Sequence, residues 1–221
     1  MRKILLIEDR SHRQKDFLRL WNINLNDYTD ILDNKIDNKY EEFIKDIQND
    51  SFDLSIYDVI IAHQYIFIND FKLILGKLKN YCKDNHKKLV LFSGGNETSY
   101  INDEYEELGL SSEDFYSQNL KLFLENFKQN KINIRILSFG NKWKLNIILN
   151  VLEKISLFIE TNNDEDIDYD EFVNNTKANL LNNLEIKFYQ MKIDETWIDS
   201  KSEILKLKED LIEHIKVIAD E

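Results

Sequence analysis

The side chains most able to do chemistry stand directly behind apolar runs. Glu8 and Asp9 are adjacent carboxylates that follow Ile4-Leu5-Leu6-Ile7. His63 follows Tyr57-Asp58-Val59-Ile60-Ile61-Ala62. Ser93, Gly94 and Gly95 follow Leu89-Val90-Leu91-Phe92, and Ser138-Phe139-Gly140 follows the stretch 132–137. Two carboxylates and an imidazole can hold a divalent metal. The same groups, with the Ser93 hydroxyl, can do acid–base work on a phosphate ester. Arg10 and Arg13 lie one helical turn apart beside the acidic pair. They either form ion pairs with it or grip a phosphate or carboxylate on a ligand. Plainer roles stand beside these. The acidic pair can stabilise a helix N-terminus, His63 can rest neutral against a backbone carbonyl, and Ser93-Gly94-Gly95 can be a tight turn. The sequence contains no P-loop, dinucleotide fingerprint or nucleophile elbow.

These residues need elements to position them, and the apolar pattern supplies candidates. Lys3–Ile7, Tyr57–Ala62, Leu89–Phe92 and Ile132–Leu137 read as buried strands, and Tyr28–Leu32 as a fainter one. Helical spacing follows each strand. Ser11 can cap a helix to about Trp21, and further helices are expected over 38–47, 70–82, 115–127 and 142–159. Strand–helix alternation over residues 1–159 predicts an α/β domain, a five-stranded parallel sheet wound on both faces. In such sheets ligands sit at the carboxyl ends of the strands. There Glu8, Asp9, His63, Ser93 and Ser138 are expected to converge.

The arrangement resembles the receiver domain of bacterial response regulators over roughly residues 2–158. The resemblance rests on Ile4-Leu5-Leu6-Ile7-Glu8-Asp9-Arg10, on Tyr57-Asp58-Val59-Ile60-Ile61 and on Leu89-Val90-Leu91-Phe92-Ser93-Gly94. It implies a flavodoxin-like fold, an acidic pair (Glu8, Asp9) that binds Mg²⁺, and a hydroxyl (Ser93) that senses a phosphoryl group. The phosphoacceptor aspartate of the family falls at His63, and its lysine falls at Ser138 or Phe139, with Lys142 too late. Without a carboxylate nucleophile the aspartyl phosphate cannot form. The resemblance is therefore to a degenerate receiver, and Mg²⁺ on Glu8 and Asp9 alone is expected to be weak.

The net charge is −12, and it is uneven. Residues 160–221 hold 17 acidic and 7 basic side chains, whereas all five arginines lie before them. A boundary near 160 is expected, with an acidic helical extension over 160–221. That charge argues against DNA as a partner. Aligned on Glu171, residues Asn162, Asp164 and Asp168 fall at calcium-ligand positions of an EF-hand loop, with Ile167 at its buried position. Glu160 in place of the first Asp, and Glu165 in place of the Gly, argue against calcium over 160–171. Amphipathic helices are expected over 169–192 and 202–219. Leu207, Leu211, Ile212 and Ile215 are candidates for contact with a protein partner or a second copy, since two helices bury little core alone.

The single Cys82 excludes a disulfide framework. No run of 18 apolar residues predicts a membrane span, and the N-terminal apolar stretch is too short for a signal peptide, so a cytoplasmic protein is expected. Two functions of different class follow. One is a non-catalytic pseudo-receiver that binds a protein partner, in the manner of accessory proteins of bacterial regulatory or phage-defence systems. The other is a metal-dependent phosphoester-processing enzyme that uses Glu8, Asp9, His63 and Ser93.

Overall fold

The computed structural model describes residues 3–67, 72–95, 100–102, 106–162, 167–184, 197–198 and 201–219. The chain divides into two compact units, Met1–Asn141 and Lys142–Glu221.

The first unit is built on a sheet. Its strands are β1 (Lys3–Glu8), β2 (Leu32–Ile36), β3 (Tyr57–His63), β4 (Lys88–Ser93), β5 (Tyr100–Asn102) and β6 (Glu107–Ser111). They lie in the order β2-β1-β3-β4-β6-β5. All neighbours pair parallel except β5, a three-residue antiparallel edge on β6. The parallel part has the flavodoxin-like order, in which the chain reverses its winding between β1 and β3. β1, β3 and β4 are near-continuous apolar runs because both of their faces are covered.

Helices on the two faces complete two separate cores. On one face α2 (Asn38–Gln48) and α3 (Lys72–Asp84) bring Phe43, Ile44, Ile47, Ile74, Leu78 and Cys82 against Leu5, Ile7, Ile60 and Leu91. On the other, α1 (Ser11–Leu20) and α5 (Gln118–Lys128) cover Ile4, Leu6, Ile61, Val90 and Phe92. Between β6 and α5 lies the one-turn helix α4 (Ser112–Phe115). Ser11 is the first residue of α1 rather than its cap; its N–H donates to Asp37 Oδ1 at 3.3 Å, so a side chain beyond β2 satisfies this helix end.

Two expected strands take other forms. Leu25–Tyr28 is a 3₁₀ turn, started by the Asn24 side chain accepting from Asn26 N–H, and β2 begins only at Leu32. The stretch 132–137 is not a strand. Asn133 Oδ1 accepts from Arg135 N–H at 3.0 Å, which bends the chain into the one-turn helix α6 (Ile136–Phe139). Asn competes in this way with ladder hydrogen bonds. Gly140, at φ +70° and ψ −169°, ends the turn in a region open essentially to Gly alone. Ile134, Ile136 and Leu137 are still buried, so the apolar pattern reported burial correctly and geometry wrongly. The fifth parallel strand is β6, and Ser111 and Ser112 stand at its carboxyl end instead of Ser138 and Phe139.

The second unit holds α7 (Trp143–Thr161), α8 (Tyr169–Thr176) and α9 (Lys201–Ala219), with a short antiparallel pair of β7 (Ile167–Asp168) and β8 (Trp197–Ile198). The helix expected over 169–192 stops early. Lys177 adopts a left-handed conformation and a 3₁₀ stretch runs Ala178–Leu184; the remainder of that expectation lies outside the described residues. α7 and α9 pack together, and Ile147, Val151, Ile155, Ile204, Leu207 and Leu211 are buried in this unit. The helix expected to close the α/β domain is thus the scaffold on which the C-terminal helices pack. Among the described residues no helix is long and apolar enough to cross a membrane.

Candidate functional site

Strand register assembles the site. Ile7 pairs with Ala62, so the next residues, Glu8 and His63, end neighbouring strands at one height. Side chains alternate along a strand. Glu8 follows Ile4 and Leu6 onto the face covered by α1 and α5, and His63 follows Val59 and Ile61 onto that same face. Asp9 is the first residue past β1. Ligand atoms of Glu8, Asp9 and His63 all lie within 4.8 Å of one another.

Arg13 comes over this cluster from the first turn of α1. Its Nη2 donates to Glu8 Oε1 at 2.5 Å and to Asp9 Oδ1 at 2.8 Å. Arg10 pairs with Asp9 at 3.4 Å and lies over the Tyr65 ring, 5.4 Å from its centroid. The arginines therefore serve the acidic pair, and Arg13 bridges both carboxylates as a single cation.

Behind Glu8 lies a residue that sequence reasoning missed. Tyr116, fully buried at the end of α4, donates its hydroxyl to Glu8 Oε2 at 2.9 Å. Gln14 Nε2 donates to the Tyr116 hydroxyl at 3.3 Å, and Gln14 and Asn34 exchange amide hydrogen bonds. A buried polar chain thus runs from β2 through α1 to the acidic pair. The ring of Tyr116 stacks on Phe17 and meets Phe92 edge-on. Nothing in a tyrosine among aromatics announces such a role; the Gln14 position, on the inward face of an otherwise charged helix, was the available signal.

His63 is 2% exposed. Its Nδ1 lies 2.9 Å from Asp9 Oδ1, an ion-pair distance, but the ring N–H is not aligned on that oxygen. Nε2 has no hydrogen-bond partner, and no backbone carbonyl takes up the ring. The ring packs edge-on against Phe92.

The electrostatics separate the two carboxyls. Burial pushes the Glu8 carboxyl up, helped by the neighbouring Asp9 and opposed by Arg13 and His63. Burial works on Asp9 in the same direction, yet the contacts with His63, Glu8 and Arg13 outweigh it and hold Asp9 well below the usual carboxylate range. Tyr116 is pushed far up by burial and then by the Glu8 charge, so it remains a donor.

Ser93 ends β4 and is half-buried, on the strand next to His63. Gly94 and Gly95 have no positive φ and open space at the Cβ position, so the turn does not require glycine there. Ser112, just beyond β6, has a buried hydroxyl without a partner. In the calcium-like segment, Asp168 Oδ1 instead caps α8 by accepting from Glu171 N–H at 2.8 Å, and residues 163–166 lie outside the described residues.

Chemically, two carboxylates and an imidazole can loosely coordinate a divalent ion such as Mg²⁺. The unit that holds them is a flavodoxin-like parallel sheet. Comparison with protein-family models, curated proteins and solved structures finds no match, so the fold and this cluster are the ground for a functional reading.

Proposed function

We propose that the chain is a receiver-like regulatory module that is not switched by aspartyl phosphorylation and that acts by binding a protein. The observation that carries this reading is His63 at the last residue of β3, with Arg13 bridging Glu8 and Asp9 in front of it. A phosphoacceptor site needs a carboxylate there and a metal free to meet the acidic pair. An imidazole and a guanidinium occupy those roles instead. The test is exposure to acetyl phosphate or beryllofluoride with Mg²⁺. Mass and amide spectra are expected to stay unchanged. A stable gain of one phosphate, lost in His63→Ala, would overturn the reading.

The protein-binding surface is proposed on the C-terminal unit. Leu207 and Leu211 are buried within it, which leaves Ile212, Ile215 and their neighbours for a partner or a second copy. Leu205, Ile212 and Val217 on α9 are 45%, 40% and 62% exposed. Ile212→Asp with Val217→Asp is expected to abolish association in light scattering and pull-down while helicity is kept. Leu211→Asp, by contrast, is expected to unfold this unit. Unchanged association in the double variant would remove α9 from the reading.

The three-residue cluster also favours a second reading, a metal-dependent phosphoester enzyme with Ser93 at the same sheet edge. Turnover of a generic phosphoester panel with Mg²⁺ or Mn²⁺, lost in Asp9→Ala, would establish it over the first.

A further inference from the structure

We propose that a polar cavity beside α1, at the β2 edge of the sheet, is a binding site for a small hydroxylated phosphomonoester of the sugar-phosphate class. The inference goes beyond the module reading and does not depend on it.

The cavity measures about 350 Å³ and lies between α1, the turn that follows it and β2. Small-molecule sites usually span about 300–1,000 Å³. Local hydrogen bonds fix its walls before any ligand arrives. Asn22 takes a left-handed conformation at φ 51°, and Ile23 N–H donates to Leu18 O at 2.9 Å, so the chain folds back at the end of α1. Asn24 Oδ1 accepts from Asn26 N–H at 3.2 Å, which sets the next turn.

The lining combines amides with cations. Gln14 is 4% exposed and Asn34 is half-buried, and both line the cavity. Gln14 Nε2 donates to Asn34 Oδ1 and to the Tyr116 hydroxyl, and Asn34 Nδ2 donates to Gln14 Oε1. These bonds use both amide hydrogens of Gln14 and one of Asn34, and each amide oxygen keeps a lone pair for a second bond. Acceptors and a donor thus remain for the hydroxyl groups of a ligand. Lys15 and Arg19 stand one helical turn apart on the cavity rim, an i,i+4 pair of like charges that oppose each other. Asp16, exposed and 3.6 Å from Arg19, relieves little of that repulsion. A phosphate between the two cations relieves it directly, with charge-assisted hydrogen bonds from ammonium and guanidinium. Leu18 and Ile23 give the carbon face of a sugar an apolar surface to rest on. Inorganic phosphate alone leaves the amides unused, and a neutral sugar leaves the cations unused. Behind the cavity, Gln14 donates to Tyr116 and Tyr116 to Glu8 Oε2, so the site is in hydrogen-bond continuity with the acidic pair.

The test is titration of the full chain with ribose-5-phosphate and with glucose-6-phosphate, beside ribose, glucose and inorganic phosphate, followed by calorimetry and by side-chain amide resonances. At least one sugar phosphate is expected to bind tenfold or more tighter than inorganic phosphate and than its own neutral sugar, and to shift the Gln14 and Asn34 amide resonances. Lys15→Ala/Arg19→Ala, at two exposed positions, is expected to keep the wild-type circular dichroism and to weaken that binding at least tenfold. No binding of either sugar phosphate at millimolar concentration would overturn the site. So would shifts confined to Lys15 and Arg19 with the Gln14 and Asn34 amides untouched, which report loose attraction of an anion to surface charge. Inorganic phosphate that binds as tightly as both sugar phosphates would overturn the ligand class, and unchanged affinity in the double variant would overturn the role of the two cations.

Discussion

At the level of single residues, the site is governed by what buried polar atoms require. Glu8 is fully buried and keeps its place because Arg13 and Tyr116 both donate to it. Removing the phenol leaves a buried carboxylate oxygen short of a donor, so Tyr116→Phe is expected to cost about 1–3 kcal/mol in urea unfolding. Tyr116 also stacks on Phe17, and the ring survives this substitution, so the loss reports the hydroxyl alone. Cys82 is a second buried residue with a clear expectation. Burial, with the Glu107 charge, pushes its thiol up to about 12. A thiol reagent at pH 8 is therefore expected to leave the folded protein unlabelled and to react only on unfolding. Fast native-state labelling would show that α3 opens locally.

Elements are tied together by a few polar bonds at their rims. The Tyr57 hydroxyl on β3 donates to Asp33 Oδ2 on β2, and the Tyr28 hydroxyl donates to Glu125 Oε1 on α5, each at 2.6 Å. Burial first, and then the facing carboxylate, raise both phenols above their ordinary value. A group raised in the folded state contributes fully below its unfolded pKa and loses that contribution as pH climbs. Stability is therefore expected to decline above about pH 10. In Tyr28→Phe/Tyr57→Phe it is expected to be lower at pH 7, by about 1 kcal/mol or more per bond, and flatter through the alkaline range. Chemical unfolding at stepped pH measures both. Gly140 shows the same economy in the backbone. An added Cβ would meet Asn119 Oδ1 at 3.2 Å at a φ of +70°. Gly140→Ala is expected to cost about 1–3 kcal/mol through that strained conformation.

For the whole molecule, the decisive fact is that, among the described residues, both cores of the sheet are built from residues before 138. The first unit closes its own hydrophobic layers on both faces. A fragment ending at Asn141 is accordingly expected to unfold in one cooperative step and to retain the Glu8–Arg13–Tyr116 network. Failure of that fragment to fold would place α7 within the α/β domain after all. The acidic C-terminal unit has its own helical core of α7 and α9. Its last 62 residues, 160–221, carry 17 acidic and 7 basic side chains.

By itself the sequence determined which chemistry stands at the sheet edge. Apolar runs ending in Glu8, His63 and Ser93 read as buried parallel strands, and parallel strands present their carboxyl ends together. That Glu8 and His63 share a face was decided by the pairing of β1 with β3, which sets Ile7 opposite Ala62. Tertiary structure decided the rest. Ile132, Ile134 and Ile136 alternate as a strand does, but Asn133 found a local hydrogen bond that a ladder could not match. Glu107–Ser111 became the fifth strand because β4 had an open edge, which no local pattern records. Arg13 could have faced solvent or a ligand. Its place between two carboxylates, and the buried hydroxyl of Tyr116 behind Glu8, follow from the docking of α1 and α4 on the sheet. Such contacts, between residues up to 108 positions apart, depend on packing distances that no periodicity carries.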